Sequence, residues 1–230
     1  MTIALIAIAL TVVLGAPARA QVTGANFPLQ PGAANGYVDV LQKRLTWLGY
    51  AIADDERATM TLGPSTLAGL RAFEEKFALA PADDVTATTW NRIRTVAGAV
   101  GTLPGPCRTE TSICIDTRQR LLRFVKDGRV ILTADARFGL PSQQTGRGTF
   151  RVLSRDRTHW SRLYRTAMPF ALFFHGGQAI HYSHYFARDG YAGASHGCVN
   201  LRDREKAQWV FEHAPVGTRV HIAGSPDMMS

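Results

Sequence analysis

The sequence predicts an α+β protein: a small N-terminal bundle of three helices, then a mainly β domain. Three observations predict it. Apolar residues recur at helical intervals between Val38 and Ile93. Residues 96–111 hold Gly98, Gly101, Pro104, Gly105 and Pro106, which reads as a linker. From Ser112 onward the apolar period falls to two.

The 230 residues suffice for one large domain or two modest ones, and 46% are hydrophobic. Thr2 to Leu14 is almost wholly apolar, and Ala18-Arg19-Ala20 follows. That run is too short to span a bilayer and precedes an A-x-A site, so residues 1–20 read as a signal peptide cleaved after Ala20. The run has no Lys or Arg before it, which leaves an uncleaved anchor as the alternative. Export to the periplasm or cell wall is therefore expected. No later run is long enough to cross a membrane. Net charge is +8, and loss of Arg19 leaves 25 basic side chains against 18 acidic ones. An excess of +7 suits an anionic surface such as a cell wall. The charges are scattered, so no nucleic-acid partner is expected. Cys107 and Cys114 lie close together in a polar stretch, and Cys198 stands alone. Outside the cytoplasm the first two either pair or remain thiols; Cys198 is the reactive candidate.

In chain order, residues 21–36 read as a flexible lead. Val38, Leu41, Leu45 and Leu48 mark a helix stopped by Gly49. A second helix follows Gly63-Pro64, with Leu67, Leu70, Phe73 and Phe77 on its apolar face. A third begins near Thr86 and uses Trp90 and Ile93. Ile113, Ile115, Leu122, Phe124, Val130 and Leu132 alternate around Asp127-Gly128, a hairpin. Further strands are expected at Thr149–Leu153, Ala171–Phe174, Ala179–His181 and Arg219–Ile222. A helix is expected at Asp203–Phe211, with Ala207, Val210 and Phe211 inward.

Residues 37–95 resemble the peptidoglycan-binding-domain-1 family. The resemblance lies in Val40-Leu41-Gln42-Lys43-Arg44-Leu45, Leu48-Gly49-Tyr50, Gly63-Pro64-Ser65-Thr66, Leu70-Arg71-Ala72-Phe73 and Thr88-Thr89-Trp90. It implies binding to peptidoglycan. An Ala/Asp/Glu/Arg-rich segment between Tyr50 and Gly63 replaces the family's Gly-rich turn, and Phe73-Glu74 replaces Phe-Gln. A spacer without binding is the alternative.

The chemistry concentrates in Ser195-His196-Gly197-Cys198-Val199-Asn200. A thiol is mostly protonated at neutral pH, and a nearby imidazole or amide dipoles raise its thiolate fraction. An acyl-transfer oxyanion needs N–H donors, which a Gly-containing turn exposes. His181, thirteen residues and then this motif resemble the signature of YkuD-type L,D-transpeptidases. Lys126-Asp127-Gly128-Arg129-Val130, Met168-Pro169-Phe170 and Phe173 through His181 extend the resemblance over 112–223. It implies an L,D-transpeptidase-type catalytic domain with Cys198 as nucleophile and His181 as base. The Tyr182 carbonyl would orient His181, with Ser183 the weaker choice. His196 and Ser195 would shape the pocket. The Gly197 and Cys198 N–H groups would form the oxyanion hole. Asn200 would hold the loop or contact substrate, and Arg202 would meet a substrate carboxylate or form a surface salt bridge. The implied reaction forms 3→3 peptidoglycan cross-links through a thioester. Water as acceptor gives L,D-carboxypeptidase activity or wall remodelling instead. Carbapenem acylation of the cysteine is implied as well. A non-catalytic wall-binding protein is the rival.

Thr145-Gly146-Arg147-Gly148-Thr149-Phe150 carries Gly where the family has Pro, and a looser turn is expected. His159, His213 and His221 read as structural. Phe170, Phe173 and Phe174 read as core. Trp160 and Tyr164 fit either a cleft or packing. His181, His184, His196 and Cys198 include zinc-type ligands without a ligand-spacing motif, so neither metal nor cofactor is expected.

Overall fold

Asn35 starts the first helix by accepting hydrogen bonds on its side chain from the Tyr37 and Val38 N–H groups, at 2.9 and 3.2 Å. A computed structural model describes residues 27–224. The signal-peptide reading lies outside the described residues, as does the lead before Phe27.

Helix α1 (Gly36–Trp47) buries Val38, Leu41 and Leu45, and α3 (Pro64–Lys76) buries Leu70 and Phe73 against them. Thr86 caps α4 (Ala87–Ala97) by accepting from the Thr89 N–H at 3.1 Å, and α4 adds Trp90, Ile93 and Val96 to the same core. The structure adds α2 (Asp54–Thr59), a short helix the periodicity does not reveal. It spans the segment where the family pattern broke. Its Glu56 carboxylate accepts the Ser65 and Thr66 N–H groups at 2.7 and 2.9 Å. One side chain thus satisfies the start of α3, which has no cap of its own.

Two expected loops are fixed in place. In the lead, Leu29 and Val85 exchange backbone hydrogen bonds of 3.1 and 3.0 Å, and Leu62 N–H donates to Ala33. The linker is pinned by a disulfide from its Cys107 to Cys114, just beyond its end. Leu103, Cys107, Cys114 and Val125 make a small core of their own.

The second half is a nine-stranded sheet: β1 (Ser112–Asp116), β2 (Leu121–Lys126), β3 (Arg129–Arg137), β4 (Gly148–Arg151), β5 (Ser154–Ser161), β6 (Thr166–His175), β7 (Gln178–Tyr182), β8 (Val199–Leu201) and β9 (Arg219–Ala223). Their spatial order is β4-β9-β1-β2-β3-β8-β7-β6-β5. Asp127 and Gly128 both have positive φ (50° and 70°), which suits the tight β2–β3 turn. β3 is shared: its first part pairs with β2, and Ala136 and Arg137 pair with β8. The sheet curls around α6 (Arg204–His213), whose Ala207, Val210 and Phe211 enter the main core. Asp203 caps α6.

The expected alternation fails in β1 and β2, where almost every residue is buried. The disulfide cluster and the helical bundle cover the second face: Leu121 joins the bundle's core, and Arg123 lies over the Trp47 ring at 4.1 Å. Among the described residues, no helix is long and apolar enough to cross a membrane.

Candidate active site

β7 and β8 are parallel neighbours with His181 opposite Asn200. Cys198 ends the loop entering β8 and lies beside Ala179, whose N–H points at its sulfur at 3.4 Å. Side chains alternate along strands, so Cys198 and Asn200 share the face that His181 presents. All three line one cleft of about 290 Å³, and Cys198 is half-buried.

His181 is buried, and its Nδ1 lies 2.7 Å from the Tyr182 carbonyl. A carbonyl only accepts, so Nδ1 carries the proton and Nε2 keeps its lone pair. The Tyr182 carbonyl thus orients the ring as expected. Ser183 instead accepts from the Phe186 N–H and caps α5 (His184–Asp189).

Burial pulls His181 down to about 4, partly offset by the Tyr182 carbonyl. Burial also pushes the Cys198 thiol up, against the Ala179 N–H. At neutral pH the resting pair is therefore a thiol and a neutral imidazole. The local dipoles expected to raise the thiolate fraction are outweighed here by desolvation.

One correction concerns the turn. Ser195 Oγ donates to the Cys198 carbonyl at 2.6 Å and accepts the Gly197 N–H at 3.2 Å. The Gly197 N–H is occupied within the loop. The Cys198 N–H has no hydrogen-bond partner among the described residues. Gly197 sits at φ 106°, and an added Cβ would come within 2.7 Å of Gln178 Nε2. Gln178 also accepts the Gly146 N–H at 2.8 Å and donates to the Gln144 carbonyl at 3.0 Å. Gly146 therefore uses an N–H that proline lacks, and the turn is tied down rather than loosened.

His196 is exposed and stacks on Tyr164, with ring centroids 4.3 Å apart, forming one wall of the cleft. Trp160 is not among the residues lining it. Arg202 faces the seam with the helical bundle, ion-paired to Asp135, and does not line the cleft. Of the two roles expected for Arg202, a substrate carboxylate or a salt bridge, the structure shows the salt bridge. The cleft's arginine is Arg137, which sequence reasoning missed. It reaches the site through the pairing of Arg137 with Asn200, and no local pattern signals so distant a contact. Among the described residues, no three His, Cys, Asp or Glu side chains cluster as metal ligands.

A thiol and a lone-pair imidazole nitrogen in one cleft of a curled sheet define the equipment of a cysteine acyltransferase. Residues 110–222 match the YkuD family model, the L,D-transpeptidase catalytic domain, and this part of the chain belongs to that family of enzymes. Among curated proteins it is 28% identical over 113 residues to L,D-transpeptidase 1 of Mycobacterium tuberculosis, covering 43% of this chain and 45% of that protein. The chain thus matches less than half the length of that relative. An L,D-transpeptidase structure from Stackebrandtia nassauensis aligns over 87% of this chain and 99% of its own, with TM-score 0.56 and 23% identity, and shows the same fold. One from Xylanimonas cellulosilytica aligns over the same shares, with TM-score 0.50 and 25% identity.

Proposed function

We propose that the protein is an extracytoplasmic L,D-transpeptidase that builds 3→3 cross-links in peptidoglycan through a thioester on Cys198. The observation carrying this reading is the Tyr182-oriented His181 ring sharing the cleft with Cys198. His181 Nε2 takes the thiol proton as sulfur attacks the carbonyl of the third stem residue, a diamino acid. The Cys198 N–H stabilises the oxyanion. His181 returns the proton to the leaving D-Ala amine, and a thioester remains. An amine of a second stem, deprotonated by His181, then resolves it; water in that place gives carboxypeptidase activity. Ser195 holds the turn, and Asn200 lies beside His181. His196 and Tyr164 form a wall for the peptide.

The helical module supports this by tethering the enzyme to wall glycan, which raises local substrate concentration. Carbapenems acylate the same sulfur in this reading.

The test is incubation with purified disaccharide-tetrapeptide and mass spectrometry of the products. A dimer lacking one D-Ala is expected. A tripeptide alone would make the enzyme a hydrolase. Unchanged donor, with wall binding retained, would make it a non-catalytic wall protein.

A further inference from the structure

Arg137 is a buried cation that makes no ion pair, although the Asp189 carboxylate lies near enough to act on it electrostatically. The residue is 6% exposed. Its Nη1 donates to the Gly190 carbonyl at 2.9 Å, and its guanidinium faces the Phe186 ring at 5.0 Å. Its Nε is buried with no hydrogen-bond partner. Among the described residues, no carboxylate ion-pairs with it, and nearby Asp189 is held by its neighbour Arg188 at 2.5 and 2.8 Å. A buried guanidinium in this state is costly, and a carboxylate matches its planar fork better than any other partner.

The sheet register places this cation beside the chemistry. Asn200 on β8 pairs with His181 on one side and Arg137 on the other. Cys198 lies two residues before Asn200, about 7 Å along the chain, and lines the same cleft as Arg137. One peptide residue spans about 3.5 Å. A group on Arg137 therefore belongs to the reacting residue or its neighbour. Gly193 leaves room, since an added Cβ there would lie 2.9 Å from Arg137 Nη1.

We propose that Arg137 is the anion subsite of the cleft, taking a peptide carboxylate one or two residues from the carbonyl that Cys198 attacks. The inference rests on the acyl-transfer reading for the identity of the peptide. Two carboxylates fit: the C-terminal one of the leaving D-amino acid, and the side-chain one of the diamino acid.

The test uses calorimetric binding to the full chain carrying Cys198→Ala, so that no turnover intervenes. Three disaccharide-tetrapeptides serve as probes: one with both carboxylates free, one with a C-terminal carboxamide, and one amidated at the diamino acid. Amidation at one position is expected to weaken binding at least tenfold, and that position names the source. Arg137→Gln is expected to weaken the free ligand equally and to abolish sensitivity to that amidation. Arg137→Lys keeps the charge without the fork, so it is expected to bind in between and to lose part of the wild-type sensitivity to that amidation; it decides the matter if the Gln variant does not fold. Equal binding of all three probes, no binding of the free one, or unchanged sensitivity in the variant that folds would overturn the assignment. Acylation of wild-type Cys198, followed separately by intact mass, distinguishes failure here from failure of the acyl-transfer reading.

Discussion

His181 keeps its proton on Nδ1 because a carbonyl faces that nitrogen, and it stays neutral because it is buried. Thiolate absorbance near 240 nm at pH 7 is therefore expected to be no greater in wild type than in Cys198→Ala; a clear difference would contradict the neutral pair. The same burial sets a stability slope. His181 titrates near 4 when folded and near 6.5 when unfolded, so the unfolded chain binds the extra proton between those values. Stability from this group is complete above about pH 6.5 and is lost as pH falls toward 4, by roughly 3 kcal/mol. Denaturant midpoints across that range should fall less steeply in His181→Gln. Gly197→Ala should slow Cys198 acylation more than tenfold, because its Cβ would meet Gln178 at a strained φ; an unchanged rate would refute the role given to this turn. Cys198, His196 and Asn200 were legible in the sequence because they form one contiguous motif. Arg137 was not, because only the pairing of β3 with β8 brings it there.

Helix α2 exists to aim Glu56 at the start of α3. Burial alone would raise the Glu56 carboxyl, and the hydrogen bonds from Thr66 and Ser65 hold it low instead. Glu56→Gln keeps the shape but replaces charge-assisted bonds with neutral ones, so it should cost about 1–2 kcal/mol by denaturant unfolding. A cost near zero would mean that α3 needs no such cap. The helices α1, α3 and α4 were legible because each buries one face at its own period. Strand β5 was not: its sequence is polar and largely exposed, leaving no alternation to read. Strands β1 and β2 defeat the pattern in the opposite way, since both their faces are covered.

The two halves meet at a buried charge cluster. Lys76 of α3 donates to Asp135 of β3 at 2.7 Å, and Arg202 pairs with the same carboxylate. Burial pulls Lys76 down to about 8, while its two cationic partners hold Asp135 low despite its burial. Two cations share one carboxylate, so Asp135→Asn should destabilise by about 3–5 kcal/mol, and Lys76→Met by clearly less. Equal losses in thermal or chemical unfolding would refute that asymmetry. At this scale the sequence announced two modules but not their seam, because Lys76 and Asp135 carry no local signal of each other. The account as a whole turns on Cys198 forming a covalent acyl adduct. Its most direct test is the intact mass of wild type and Cys198→Ala after exposure to a carbapenem. A gain of one carbapenem on the wild type and none on the variant is predicted; equal labelling of both, or labelling of neither, would contradict it.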